Sequence, residues 1–251
     1  MLISPFVIAV TIFAFLLAGL VKGVIGMGLP TISIGLLSLV MQPVEAVALL
    51  VVPTLVTNLW QMAVGRNFVT LVYRLWPVMA GVCIGTWVAA FSGLGLLTKD
   101  STGLATMALG IALMVYSAFG LAKIHFTVRR SAEPWLGPII GVLTGGISAA
   151  TGVFAIPAIP YLQAIGLDKE DLVQAQGVSF TVSTLALTVV LIGHGTLQIS
   201  NTSVSFLAVA PALLGMAIGQ WVRLRVRPEV FSLCFFLGVF LLGAHFALSH
   251  R

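Results

Sequence analysis

Charge is what this chain has least of. Asp, Glu, Lys and Arg make up 8% of its 251 residues, against 59% hydrophobic. That leaves too few polar side chains to cover a soluble globule, so the chain belongs in a bilayer. Acids are scarcest: Glu45, Asp100, Glu133, Asp168, Glu170, Asp171 and Glu229 all stand at or near the ends of apolar segments. No carboxylate is left in mid-segment for a proton relay or a sodium ligand, which argues against cation transport. Asp168 to Asp171 reads as a solvated turn and helix start. Cys83 and Cys234 lie inside apolar segments and are expected to be inert packing residues. His125, His194, His245 and His250 are scattered, with no His-Glu-x-x-His, and Gly146-Ile147-Ser148-Ala149-Ala150 lacks the second glycine of Gly-x-Ser-x-Gly. The chain is therefore not expected to be an enzyme, nor to hold a metal or other cofactor. The alternation of barrel strands is missing too, so the spans are helices. The N-terminus is apolar from Leu2 without a basic leader, and a cleaved signal peptide is not expected.

What is present is long apolar runs, and they come twice. Val44 to Val64, Leu75 to Thr98 and Leu172 to Gly193 carry few or no charges and approach or exceed the roughly 20 residues that cross a bilayer. Pro77, Gly81, Gly85 and Trp87 read Pro-x-x-x-Gly-x-x-x-Gly-x-Trp, and Pro211, Gly215, Gly219 and Trp221 repeat that pattern. The glycine-rich stretch from Gly23 to Pro30 has a counterpart from Gly145 to Pro157. Repetition of this kind in so apolar a chain is the pattern of a transporter built from two related halves. The expected fold is an all-α polytopic membrane protein with an inverted repeat. Each half has a broken or re-entrant helical hairpin followed by three transmembrane helices. Residues 1–251 form one domain: repeat 1 at about 1–122, a cytoplasmic linker at 123–134 and repeat 2 at about 135–251.

Net charge is +5, with the cations clustered at Arg66 and Arg74, at Lys123, Arg129 and Arg130, and at Arg223, Arg225 and Arg227. Short basic loops between helices set orientation rather than bind nucleic acid. With these clusters cytoplasmic, the loops at Lys99-Asp100 and at His194 to Ser203 face outside, and the two halves run in opposite directions. Trp135 to Ile165 is too short for two spans and too long for one, so a hairpin with its apex inside the membrane is expected.

Irregular backbone at that depth survives only where it is buried in protein or lines a watery cavity, which marks the apices as the substrate site. Pro30 and Pro157 each open an apolar piece, where proline suits a helix start. Two helix starts facing each other would aim free N–H groups and partial positive charge at an anion. The candidate substrate-binding residues are Lys22, Gly26, Gly28, Pro30, Thr31 and Asn58 in the first half and Gly146, Ser148, Gly152, Pro157 and Ser179 in the second. Thr54, Thr57, Gln61, Gln174, Gln176, Thr181, Ser183 and Thr184 are further donors on the helices that follow. The alternative reading of the glycines is as contacts for close helix packing, but break, glycine and proline recur together in both halves, which favours the binding role. Lys22 either meets an anion near the midplane or, if Leu2 to Val21 is a full crossing, snorkels to an interface. Expected partners are a small anion and the lipid bilayer, not nucleic acid, and a homodimer is allowed.

The paired breaks, the twin Pro-x-x-x-Gly-x-x-x-Gly stretches and the length make the chain resemble the sulfite exporter TauE/SafE family of membrane transporters. The resemblance implies movement of sulfite, thiosulfate or an organosulfonate, often outward, across a bacterial inner membrane. A passive anion channel and a carrier of a non-sulfur organic anion remain the alternatives. One departure is Val153-Phe154 where the first break has Met27-Gly28, which would bias the pocket toward a larger or more apolar ligand.

Overall fold

A computed structural model describes residues 5–93, 102–122, 126–195, 199–225 and 228–248. Lys99, Asp100, Lys123, His125, Arg227 and His250 lie outside them. The described residues form ten α-helices and no strand. The first half of the chain holds α1 (Pro5–Ile25), α2 (Leu29–Leu37), α3 (Pro43–Val64), α4 (Phe68–Phe91) and α5 (Thr102–Ala122). The second half holds α6 (Glu133–Thr151), α7 (Ala158–Ala164), α8 (Lys169–Gly193), α9 (Ile199–Arg223) and α10 (Pro228–Leu248). Seven of them are long and apolar enough to cross a membrane. The chain is thus an all-α, multi-pass membrane protein.

The helix ends follow from local chemistry. Gly28, at φ 104°, adopts the left-handed conformation that admits Leu29 and Pro30 into the first turn of α2. Gly152, at φ 73°, closes α6 in the same conformation, its N–H donating to the Ser148 carbonyl. Asp168 precedes α8, with Glu170 and Asp171 in the first turn, as the acidic run predicts. Pro53 inside α3 has no N–H for the carbonyl four residues back, and the Ser205 hydroxyl donates to that Leu49 oxygen at 2.6 Å.

The two halves are interleaved. α1 packs on α9, α4 on α6, α3 on α8 and α5 on α10, a set of pairs that maps onto itself when the halves are exchanged. The twin glycine patterns make two of these contacts. A Cβ on Gly215 or Gly219 of α9 would overlap the carbonyl oxygens of Leu16 and Leu20 on α1. One on Gly81 or Gly85 of α4 would overlap those of Pro138 and Val142 on α6. Close backbone approach through small residues is the main packing device open to helices in lipid, where no hydrophobic effect drives them together. Outward-facing Trp60, Trp76, Phe91, Trp135, Leu207 and Leu241 present apolar surface of the kind lipid solvates.

The hairpins differ from expectation in two respects. First, α1 continues through Gly23 to Ile25 at about 32 Å in length, so each hairpin is one long helix joined to one short helix. The irregular stretches shrink to Gly26–Gly28 and Gly152–Pro157. Second, the breaks do not face each other. The Gly26 carbonyl accepts from Gln61 near the end of α3, whereas Gly152 lies against Val47 near its start, about 20 Å apart along that helix. Pro157 departs as well: it follows a cis peptide bond and precedes α7, a helix of seven residues. Val153 to Pro157 is irregular, so α7 opens only at Ala158, with Pro157 before the helix rather than in its first turn as Pro30 is in α2.

Candidate functional site

Lys22 lies in the last turn of α1 and is 2% exposed. Its ammonium donates to Thr57 Oγ1 at 3.0 Å and to Asn58 Oδ1. Thr57 in turn donates to the Pro53 carbonyl at 2.8 Å, so its lone pairs are aimed at the amine. Among the described residues no carboxylate pairs with Lys22, and the one ion pair is Arg74–Glu133. An ammonium buried beside neutral acceptors alone is uncompensated, and an anion would supply the missing countercharge. Lys22 does not snorkel.

Near it, polar groups stand on α3 and α8. Gln61 Nε2 donates to the Gly26 carbonyl at 2.7 Å, fastening the first break to α3. Gln176 of α8 reaches the other side of Gly26, its Oε1 3.7 Å from where a Cβ would stand. Thr54, Asn58 and Gln61 share one face of α3 at helical spacing, and Gln176 and Ser179 share one face of α8. On those faces Thr54 Oγ1, Asn58 Nδ2, Gln61 Oε1, Gln176 Oε1 and Ser179 Oγ are buried without a hydrogen-bond partner among the described residues. A buried polar group left unmatched costs about 1–3 kcal/mol, so such a cluster marks a place where solute or water completes the bonding.

The second break is a different environment. Gly152 abuts Val47 and Ile34, and Val153, Phe154, Ala155 and Ile156 are all buried. Ser148, at the place matching Lys22, donates to the Gly145 carbonyl at 3.0 Å and lies 3.5 Å from Thr86 Oγ1. Gly146, half-buried on α6, has nothing near it for a side chain to meet. The structure therefore brings Lys22 to Asn58, and Gln61 and Gln176 to Gly26, with Ser179 buried one turn along α8 from Gln176. Gly28, Pro30 and Thr31 are buried where α2 begins. Ser148, Gly152 and Pro157 belong to a separate, apolar place.

A family model for the sulfite exporter TauE/SafE family matches residues 11–246. The chain belongs to that family. No match was found among curated proteins or among solved structures. Membership implies a membrane transporter of the sulfite and sulfur-anion kind.

Three residues of this TauE/SafE site gained their importance only in the fold: Thr57, Gln61 and Gln176. The available signal was spacing, since Thr54, Asn58 and Gln61 repeat at helical intervals inside an apolar run. Other polar residues prove to be structural. Gln174 donates to the Met62 carbonyl at 2.7 Å and accepts from Asn67 N at 3.1 Å, bracing the turn between α3 and α4. Thr181, Ser183 and Thr184 donate to carbonyls of their own helix at 2.7–2.9 Å, as hydroxyls in membrane helices commonly do.

Proposed function

We propose that this protein carries a small sulfur-containing anion (sulfite, thiosulfate or an organosulfonate) across a bacterial inner membrane, in the export direction. It does so by alternating access, with Lys22 as the charge that receives the substrate. The observation that carries this reading is the buried ammonium of Lys22, paired with no acid among the described residues, on a helix that bonds an α3 face carrying unmatched polar atoms, with more on α8. Asn58 Nδ2 and the hydroxyls of Thr54 and Ser179 would donate to the anion's oxygens. Gln176 Oε1 would accept from a protonated oxygen or an amine at its far end. The paired helix starts first expected to hold the anion are replaced in this role by a single site.

The inverted arrangement of the halves is part of the proposal. It is supported by contacts at one end of the molecule. Gln174 near the start of α8 bonds Met62 near the end of α3. Arg74 near the start of α4 bonds Glu133 at the start of α6 and the Ile165 carbonyl just after α7. That end also carries Arg66, Arg129, Arg130 and Arg223, which would make it cytoplasmic. Rocking of the interleaved halves about α3 and α8 would expose Lys22 to each side in turn.

The test is uptake into proteoliposomes of radiolabelled sulfite, thiosulfate, taurine, sulfoacetate and a carboxylate control, for wild type and Lys22→Gln. Saturable flux with counterflow for at least one sulfur anion, lost in Lys22→Gln, is expected. Equal flux in the variant, or single-channel current steps, would overturn the reading.

A further inference from the structure

Beside the first break lies a cavity of about 610 Å³ that neither the family match nor the Lys22 cluster accounts for. Its apolar floor includes Met27, Tyr116 and Phe236, with the Tyr116 hydroxyl 3.4 Å from Met27 Sδ. Its polar wall includes Gln163, Lys169 and Arg223, and no Asp or Glu is part of the described lining. Lys169 and Arg223 have no ion-pair partner among the described residues, whereas nearby Arg225 is occupied, its guanidinium 3.5 Å over the Trp221 ring. Two cations line one concave space whose described lining holds no acid, the flanking Asp168, Glu170 and Asp171 not being part of it, and such a space raises the local concentration of anions.

The cavity and the Lys22 cluster share the Gly26–Gly28 stretch as a partition. Met27 lines the cavity, while Gly26 on the adjoining residue bonds Gln61 and faces Gln176. Lys22 is one helical turn back from Gly26, about 6 Å along α1. The volume falls in the range of pockets for drug-sized ligands, about 300–1,000 Å³, well beyond what an anion of a few heavy atoms fills. Such a space suits passage of a hydrated ion better than tight binding.

We propose that this cavity is the loading vestibule of the transport path, in which Lys169 and Arg223 capture a sulfur oxyanion or sulfonate and deliver it across Gly26–Gly28 to Lys22. The inference rests on Lys22 as the receiving charge. Met27, held by Tyr116 and packed near Phe236, is then the group that moves aside.

The experiment replaces Cys83 and Cys234 by alanine and introduces Ser232→Cys, another lining position. Its labelling by a sulfonated maleimide is compared with that by neutral N-ethylmaleimide, with free cysteine as the reference for intrinsic reactivity. A preference for the sulfonated reagent of about tenfold over that reference is expected. Lys169→Gln with Arg223→Gln should abolish the preference and raise KM for the transported anion by a similar factor while leaving kcat near wild type. Lys169→Arg with Arg223→Lys should restore both. Absence of the preference, or an unchanged KM in the double glutamine variant, would overturn the vestibule. If Lys22→Gln still loses transport in that case, the binding site stands and only its entrance is wrong. Unchanged transport in Lys22→Gln would instead remove the receiving site, whatever the labelling shows.

Discussion

The two breaks derive from matching places in the two halves, yet one is polar and charged and the other is dry. Beside the first stand Lys22, Asn58, Gln61 and Gln176; beside the second stand Val47, Ile34, Phe154 and Ser148. Both keep a glycine at positive φ next to a valine of the partner repeat, Gly26 by Val173 and Gly152 by Val47. The backbone device has thus been retained in both halves while the chemistry sits in one. A carrier of a single small anion needs one charge to hold it. A second buried ammonium would repel the first and carry its own desolvation penalty.

Exchanging the two places chemically is the most severe way to break this contrast. Ser148→Lys would put an ammonium at a place where the serine hydroxyl meets Thr86 and the Gly145 carbonyl, at a penalty of about 2.5–3.5 kcal/mol or more. We expect low membrane yield and early thermal unfolding in detergent. Ser148→Ala should fold and transport like wild type. Should Ser148→Lys be tolerated, the second break is wetter than described and the asymmetry is lost.

Next in size is the charge itself. Removing it in Lys22→Gln forfeits charge-assisted bonds to the substrate, worth about 1.5–3 kcal/mol, or about 10- to 150-fold in affinity. Isothermal titration of the purified protein with the transported anion measures this directly. Asn58→Leu removes one of the two neutral acceptors of the ammonium and should weaken binding less, by about tenfold.

The two glycines give a third, smaller comparison. An alanine at either place must hold a left-handed backbone at about 1–2 kcal/mol. Gly152→Ala also meets Val47 Cγ2 at 2.5 Å and Ile34 Cδ1 at 2.9 Å, while Gly26→Ala meets the tip of Val173 at 3.2 Å and Gln176 Oε1 at an ordinary 3.7 Å. Thermal midpoints should therefore fall further for Gly152→Ala, and transport further for Gly26→Ala. The reverse order would place the working break in the second half.

Much of this architecture is legible in the residues, for reasons that are local. The apolar runs locate the spans because lipid demands it, and Asp168 to Asp171 marks the start of α8 because acids suit a first turn. The glycine patterns at Pro77 and Pro211 announce a repeat but not a partner. The partner signal was present in Gly19 and Gly23 on α1 and in Gly137, Gly141 and Gly145 on α6, at the same four-residue spacing. What local reasoning misses is where along a helix a break falls. Gly23 and Gly145 look like break residues but serve packing against α9 and α4, so the helices run on to Gly26 and Gly152. That extension carries the two breaks toward opposite ends of α3. It also leaves Lys22 one turn behind the break, against Thr57 and Asn58.

Gln61 offers the mildest and most discriminating probe. Its amide donates to the Gly26 carbonyl, and the matching position of α8 is Leu187, a buried apolar residue. Gln61→Leu therefore makes the first half resemble the second without touching the charge. Losing one buried bond and leaving the Gly26 carbonyl unmatched should cost about 1–3 kcal/mol. If the bond fastens the partition between vestibule and Lys22, the loss falls on the closed arrangement. Thermal stability of the substrate-free protein should then drop, while the stabilisation gained on adding the transported anion is retained. A variant whose substrate-induced shift disappears instead would show that Gln61 binds the anion directly through Oε1. The first break would then be part of the site rather than its gate.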